Sequence, residues 1–94
     1  MNEKIIVRTY SAGVFYGELV SRNGKEVKLK NARRLWYWSG ANSLSELAMK
    51  GVAEPKECKF PCAMESVIIT EAIEIIATTK KAQDSIENVP EWSY

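Results

Sequence analysis

No histidine occurs anywhere in the 94-residue chain. That absence removes the side chain that titrates near neutrality and most often serves as general base or metal ligand. It also removes the mixed cysteine–histidine sets that hold zinc. The chain has two cysteines, Cys58 and Cys62, spaced C-x3-C with Pro61 between them. Two thiols cannot close a tetrahedral zinc site within one chain, so no metal and no cofactor is expected, and both cysteines read as reduced, small packing residues. Serines are plentiful, yet no G-x-S-x-G elbow and no phosphate-cradling glycine loop accompanies them. The best-placed carboxylates are Glu65, Glu71 and Glu74. Glu71 and Glu74 stand three apart, on opposite faces of a straight strand, and read as solvated. The expectation is a protein that is not an enzyme.

Long apolar runs are also missing. None is long and uninterrupted enough to span a bilayer, and Met1-Asn2-Glu3-Lys4 has no apolar signal core, so the expectation is a cytoplasmic protein without a membrane partner. Charge of one sign is scarce too: thirteen basic residues face twelve acidic ones, for a net +1. A duplex-DNA binder coated in Lys and Arg is excluded, and any anion site has to be local. The 46% hydrophobic and 27% charged fractions are those of an ordinary globular chain. Residues 1–94 read as a single domain with a modest core.

The order of elements follows from composition and punctuation. Lys4–Tyr10 is β-branched and aromatic and ends at Ser11-Ala12-Gly13, which predicts a strand and a turn. A second strand follows over Val14–Arg22, and Asn23-Gly24 signals a two-residue hairpin loop. That loop would pair Arg22 with Lys25, Val20 with Val27 and Glu18 with Leu29. Tyr16, Val20, Val27 and Leu29 would then share the core face, with Leu19, Lys28 and Lys30 opposite. Asn31-Ala32 allows a bend, and Arg33–Trp38 is a further strand candidate.

Ser43-Leu44-Ser45-Glu46 has capping-box spacing and opens a short amphipathic helix over Leu44–Lys50, closed by Gly51. The stretch Val52–Met64 reads as irregular, with one short strand near Lys59-Phe60. Glu65–Ala77 is a bent strand or two strands joined near Glu71-Ala72. Thr79 caps a second helix, Lys80–Glu87, ending at Asn88. The fold class is therefore α+β: a small, mainly antiparallel sheet or partly open barrel with one inserted helix and one C-terminal helix.

One block carries the functional signal. Strand alternation places Arg34, Trp36 and Trp38 on one face of Arg33–Trp38 and Arg33, Leu35 and Tyr37 on the other. Each face pairs a guanidinium with an aromatic ring. A nucleotide calls for that pairing, because a base stacks on aromatic planes while phosphate takes bidentate hydrogen bonds from arginine. The helix start at Ser43 follows closely, offering unpaired N–H groups beside which a phosphate could sit near Arg34. Arg8 and Tyr10 could add a further pair from a neighbouring strand. The same residues also suit the core or a subunit interface, since Trp, Tyr and Arg are the types enriched in protein–protein hot spots.

The segments Val7–Val14, Ala32–Trp38, Gly40-Ala41, Ser43-Leu44, Lys59-Phe60-Pro61 and Thr70–Ile75 resemble a family of short bacteriophage proteins that carries a domain of unknown function. The resemblance covers nearly the whole chain and is most specific at Arg33-Arg34-Leu35-Trp36-Tyr37-Trp38. It implies a setting, the infected bacterial cytoplasm, and no established chemistry. By analogy of size and origin it suggests an anti-defence protein that sequesters a nucleotide-derived immune signal, of the cyclic ADP-ribose type used by Thoeris systems or a cyclic dinucleotide. Arg33 and Arg34 would hold phosphate, Trp36, Tyr37 or Trp38 would stack on the base, and a homo-oligomer would enclose the ligand. Two rival readings are a protein-interaction module acting on a host or virion protein and a single-stranded nucleic acid binder.

Overall fold

The computed structural model describes residues 3–92. Three strands rise in succession, β1 (Lys4–Thr9), β2 (Val14–Asn23) and β3 (Glu26–Arg34), followed by helix α1 (Leu44–Lys50), a 3-10 turn over Pro55–Glu57, β4 (Met64–Ile69), β5 (Ala72–Ala77) and helix α2 (Lys80–Glu87). The strands form one antiparallel sheet in the order β4-β3-β2-β1-β5.

Consecutive strands β4 and β5 occupy opposite edges of that sheet, yet only Thr70 and Glu71 join them. So short a link forces the sheet to curl until its edges meet at that end. Two backbone bonds fasten the meeting point: Tyr10 N–H donates to Glu71 O at 3.0 Å, and Ala72 N–H donates to Lys25 O at 3.1 Å. The expected α+β sheet, curled as a partly open barrel, is the architecture found.

Curling gives the sheet two buried faces. Ile5, Ile6 and Val7 are all fully buried in succession, which a strand covered on one side only could not do. Ile5 and Val7 join Phe15, Val27, Leu29, Ala32, Ile69 and Ala72 in a core drawn from all five strands and from nothing else. Ile6 turns the other way and meets Tyr16, Leu35, Leu47, Phe60 and Ile86 beneath the helices.

The hairpin differs from its expected register. Its loop is Gly24-Lys25, Asn23 pairs with Glu26, and irregularities near Gly17 and Val20 shift the ladder twice. Leu19 consequently opposes Leu29 and packs on the inner core, whereas Val20 is left exposed. Tyr16 lies on the helix side, opposite Val27 and Leu29. A bulge absorbs a full residue and re-aims every side chain beyond it, which alternation counted from the turn cannot foresee. The bend expected at Asn31-Ala32 is one of these features: Asn31 adopts φ +49° and its amide donates to Glu18 at 2.7 Å. A Cβ on Gly17 would sit 3.0 Å from the Cα of Ala32, so the strands approach closely there and a side chain would have to push them apart.

The helices follow their caps. Ser43 accepts from Glu46 N–H, Thr79 accepts from Ala82 N–H, and Gly51 ends α1 at φ +78°. Glu65–Ala77 resolves into β4 and β5. Cys58 is buried as expected and its thiol is pushed up by burial, while Cys62 is exposed rather than packed; both thiols are free. No described helix is long and apolar enough to cross a membrane.

Candidate functional site

Only the first two residues of Arg33–Trp38 belong to a strand. Arg33 and Arg34 end β3, where they pair with Tyr16 and Phe15 of β2, and the chain then leaves the sheet. Leu35 is fully buried and its N–H donates to Val14 O at 2.8 Å. Tyr37 makes one bridge, to Lys59, through a pair of backbone bonds. Departure from the ladder breaks the expected alternation: Trp36 is 61% exposed, whereas Trp38 turns back and packs against the helix-side core.

The two arginines have opposite environments. Arg33 lies over the Phe60 ring, and its guanidinium donates to Pro61 O, Ile86 O and Phe60 O at 3.2, 3.1 and 3.1 Å. Burial lowers its pKa from the ordinary arginine value, against the attraction of Glu91. Three carbonyls from two separate segments occupy its donors, so Arg33 is a clamp between β3 and the C-terminal half. The expected role in holding phosphate is replaced by this structural one.

Arg34 faces the other way. Its guanidinium carbon lies 4.7 Å over the Phe15 ring, and among the described residues it makes no side-chain hydrogen bond or ion pair. Phe15 is buried, so the guanidinium rests over a fixed ring. Beside it opens a cleft of about 370 Å³ lined by Ser11, Ala12, Gly13, Val14, Arg34, Leu35 and Trp36.

The turn on the far wall is a tight one. Thr9 N–H and Oγ1–H both donate to Gly13 O, and Ala12 N–H donates back to Thr9 Oγ1. Gly13, at φ +95°, has open space where a Cβ would stand, so the backbone is bare toward the solvent. A guanidinium, an indole and an exposed backbone thus converge on one cavity. That set can bind an anion attached to a planar ring.

The remaining expected residues separate. Arg8 is two strands from β3 and pairs with Glu74 at 3.0 Å, away from the cleft. Tyr10 adjoins the Ser11–Gly13 turn and is 73% exposed. Tyr37, half-exposed, stands beside Lys59, whose Nζ lies 5.9 Å from its ring centroid. Ser43 spends its hydroxyl on capping α1, and it is not among the residues lining the Arg34 cleft. The helix start and Arg34 therefore do not share that cleft.

Neither the Ser11–Gly13 turn, which ends a strand in the sequence pattern, nor Trp92 carries a local signal of a site. The edge of the indole pair tells where Trp92 goes: its ring meets Trp36 edge to face, centroids 5.3 Å apart and planes at 72°. Contact between residues so distant in sequence leaves no local pattern to read.

A second polar cleft, about 270 Å³, opens on the other side beside Tyr16, Asn31, Arg33, Ala63, Glu87, Val89 and Glu91. There Tyr16 Oη–H and Lys4 Nζ both donate to Glu87 Oε2, the latter at 2.8 Å. Of its lining residues, Tyr16, Asn31, Arg33 and Glu87 already hold hydrogen bonds within the protein.

The chain matches the family model described as Domain of unknown function (DUF6948) over residues 2–86. It belongs to that family. The match spans both arginines, Trp36 and the Ser11–Gly13 turn. No curated protein and no solved structure matches it.

Proposed function

We propose that this DUF6948 protein binds and sequesters a small nucleotide-derived signal without cleaving it. The observation that carries the reading is the shared cleft of Arg34 and Trp36, where a guanidinium stacked on Phe15, without a polar side-chain partner among the described residues, lies beside an exposed indole. Phosphate would take the edge of Arg34 together with the backbone of the Ser11–Gly13 turn, and the base would stack on Trp36. The cavity's volume falls at the lower end of the range of about 300–1,000 Å³ usual for small-molecule sites. It is open on its outer side, so full enclosure of a nucleotide calls for a second protomer, and the protein acts as a homo-oligomer.

The biological setting of this reading rests on the resemblance to short phage proteins. In that setting the ligand is an immune messenger of the host, a cyclic ADP-ribose isomer or a cyclic dinucleotide, and the protein lowers its free concentration in the cytoplasm. Calorimetric titration with cyclic ADP-ribose isomers, the histidine conjugate of ADP-ribose and cyclic dinucleotides tests it directly. Saturable binding of one of them, with the compound recovered intact by chromatography, is expected. Binding by none of them ends the reading.

The exposed rings of Tyr10, Trp36 and Tyr37 favour one alternative, a protein-binding patch, because Trp and Tyr are typical anchors of such interfaces. A stoichiometric protein partner captured through Trp36, with every nucleotide failing, would select it instead.

A further inference from the structure

We infer that Trp92 is a positioning residue for the Arg34–Trp36 cleft: it sets the plane of Trp36 and thereby governs how the cleft treats the ring of its ligand. The inference rests on the nucleotide-binding reading above and adds to it the element that selects the base.

Trp36 lies between two fixed points and is not itself fixed by them. Leu35 is anchored in the core and Tyr37 is tied through its backbone to Lys59, whereas the Trp36 side chain projects outward with most of its surface exposed. A free indole on a loop would sample several rotamers, and ordering it on binding would cost affinity. The contact with Trp92 removes that freedom, since an edge-to-face pair of indoles is a directional contact.

Trp92 can do this because the segment before it is docked. Val89 is buried and its N–H donates to Ile86 O, Glu91 pairs in parallel with Phe60, and Trp92 N–H donates to Phe60 O at 3.0 Å. Lys59 adds a second restraint, with its ammonium 5.6 Å from the Trp92 ring and 5.9 Å from that of Tyr37. Phe60 is the same residue on which the Arg33 guanidinium rests. One residue thus supports both the strand end that carries Arg34 and the tail that orients Trp36.

The division of labour has a specific consequence. Arg34 and the Ser11–Gly13 turn would meet the phosphate, whereas the ring of Trp92 meets Trp36 and the ammonium of Lys59. Loss of Trp92 should weaken recognition of the ring and leave recognition of phosphate intact. The test uses the full chain, with 5′-AMP as a ligand carrying both parts and ribose 5-phosphate as one lacking the base, in Trp92→Ala, Trp92→Phe and the native protein. Expected is a roughly tenfold loss of AMP affinity in Trp92→Ala, with ribose 5-phosphate unchanged, and substantial recovery in Trp92→Phe. The far-UV circular dichroism couplet of paired indoles should vanish in both variants while the melting transition persists, which separates local disorder from unfolding.

Native-like AMP affinity in Trp92→Ala overturns the inference and leaves the nucleotide reading standing. Equal losses for AMP and ribose 5-phosphate also overturn it, since they would make the tail a general support. Failure of the native protein to bind AMP overturns the inference, while the nucleotide reading stands or falls with the compounds of the calorimetric panel.

Discussion

Arg33 and Arg34 are neighbours in sequence and lie on opposite sides of β3, one bonded to three backbone carbonyls and the other stacked on Phe15 with no polar partner among the described residues. Strand alternation separates them, and what each side holds decides their use. On the helix side lie the carbonyls of Phe60, Pro61 and Ile86, which accept from Arg33. Beside the Ser11–Gly13 turn lies a cleft, which leaves a guanidinium for a ligand.

Substitution of Arg33 should therefore be felt as stability. Arg33→Ala removes three hydrogen bonds to the carbonyls of Phe60, Pro61 and Ile86 together with the stack on Phe60, for an expected loss of about 2–4 kcal/mol. Chemical denaturation measures it. Arg33→Lys should recover only part, because an ammonium cannot reproduce the planar fork that reaches three acceptors.

Arg34 should behave in the converse way. Arg34→Ala is expected to change unfolding free energy by no more than about 0.5 kcal/mol, as an exposed position does. Affinity for the nucleotide found in the calorimetric panel should fall by tenfold or more, the value of a charge-assisted contact. A large stability loss with unchanged affinity would assign Arg34 to the fold instead.

Much of this architecture is legible in the sequence, for identifiable reasons. Both helices were marked by local chemistry, Ser43 and Thr79 as caps and Gly51 as a stop, and such signals act within a turn. The division of Glu65–Ala77 into two strands follows from its length. The register of β2 and β3 was not legible, because the bulge at Asn31 depends on how closely Gly17 can approach Ala32. The site was legible in its residue types and not in its membership. Arg34 and Trp36 share a cleft, but nothing local to Arg33 announces that carbonyls at positions 60, 61 and 86 will reach it. The same holds for Trp38, which leaves the strand path and packs against the helix-side core.

The cluster of Tyr16, Lys4 and Glu87 predicts how stability responds to pH. Burial pushes the Glu87 carboxyl up, but hydrogen bonds from Lys4 and Tyr16 outweigh it and hold it below its ordinary value. Its contribution is present above the unfolded carboxylate range, about pH 4.3, and is lost as pH falls through the lower folded value. Burial, reinforced by the bond to Glu87, pushes the Tyr16 phenol well above its ordinary value. That contribution is complete below about pH 10 and is lost as pH rises further. Melting temperature measured across pH should decline at both extremes, and Tyr16→Phe should flatten the alkaline decline. An unchanged alkaline limb in Tyr16→Phe would exclude this phenol as its source.

Helix docking hinges on Gly51. Its φ of +78° disfavours any side chain, and a Cβ there would lie 2.3 Å from the Cβ of Ser85 on α2. Ser85 also joins the two segments by donating to Val52 O and accepting from Val52 N–H. Gly51→Ala should cost about 2–3 kcal/mol, since strain and overpacking act together. Ser85→Gly, which opens the space, should offset part of that loss when combined with it, and a double-mutant cycle by thermal denaturation measures the coupling.

The central claim is that a nucleotide occupies the cleft of Arg34 and Trp36, and residue-resolved NMR during titration with cyclic ADP-ribose isomers and cyclic dinucleotides tests it most directly. The account predicts saturable shifts in the indole N–H of Trp36 and the amides of Ser11, Ala12 and Gly13, with the indole of Trp38 little changed. Shifts centred on Tyr16 and Glu87, or none with any of these compounds, would contradict it.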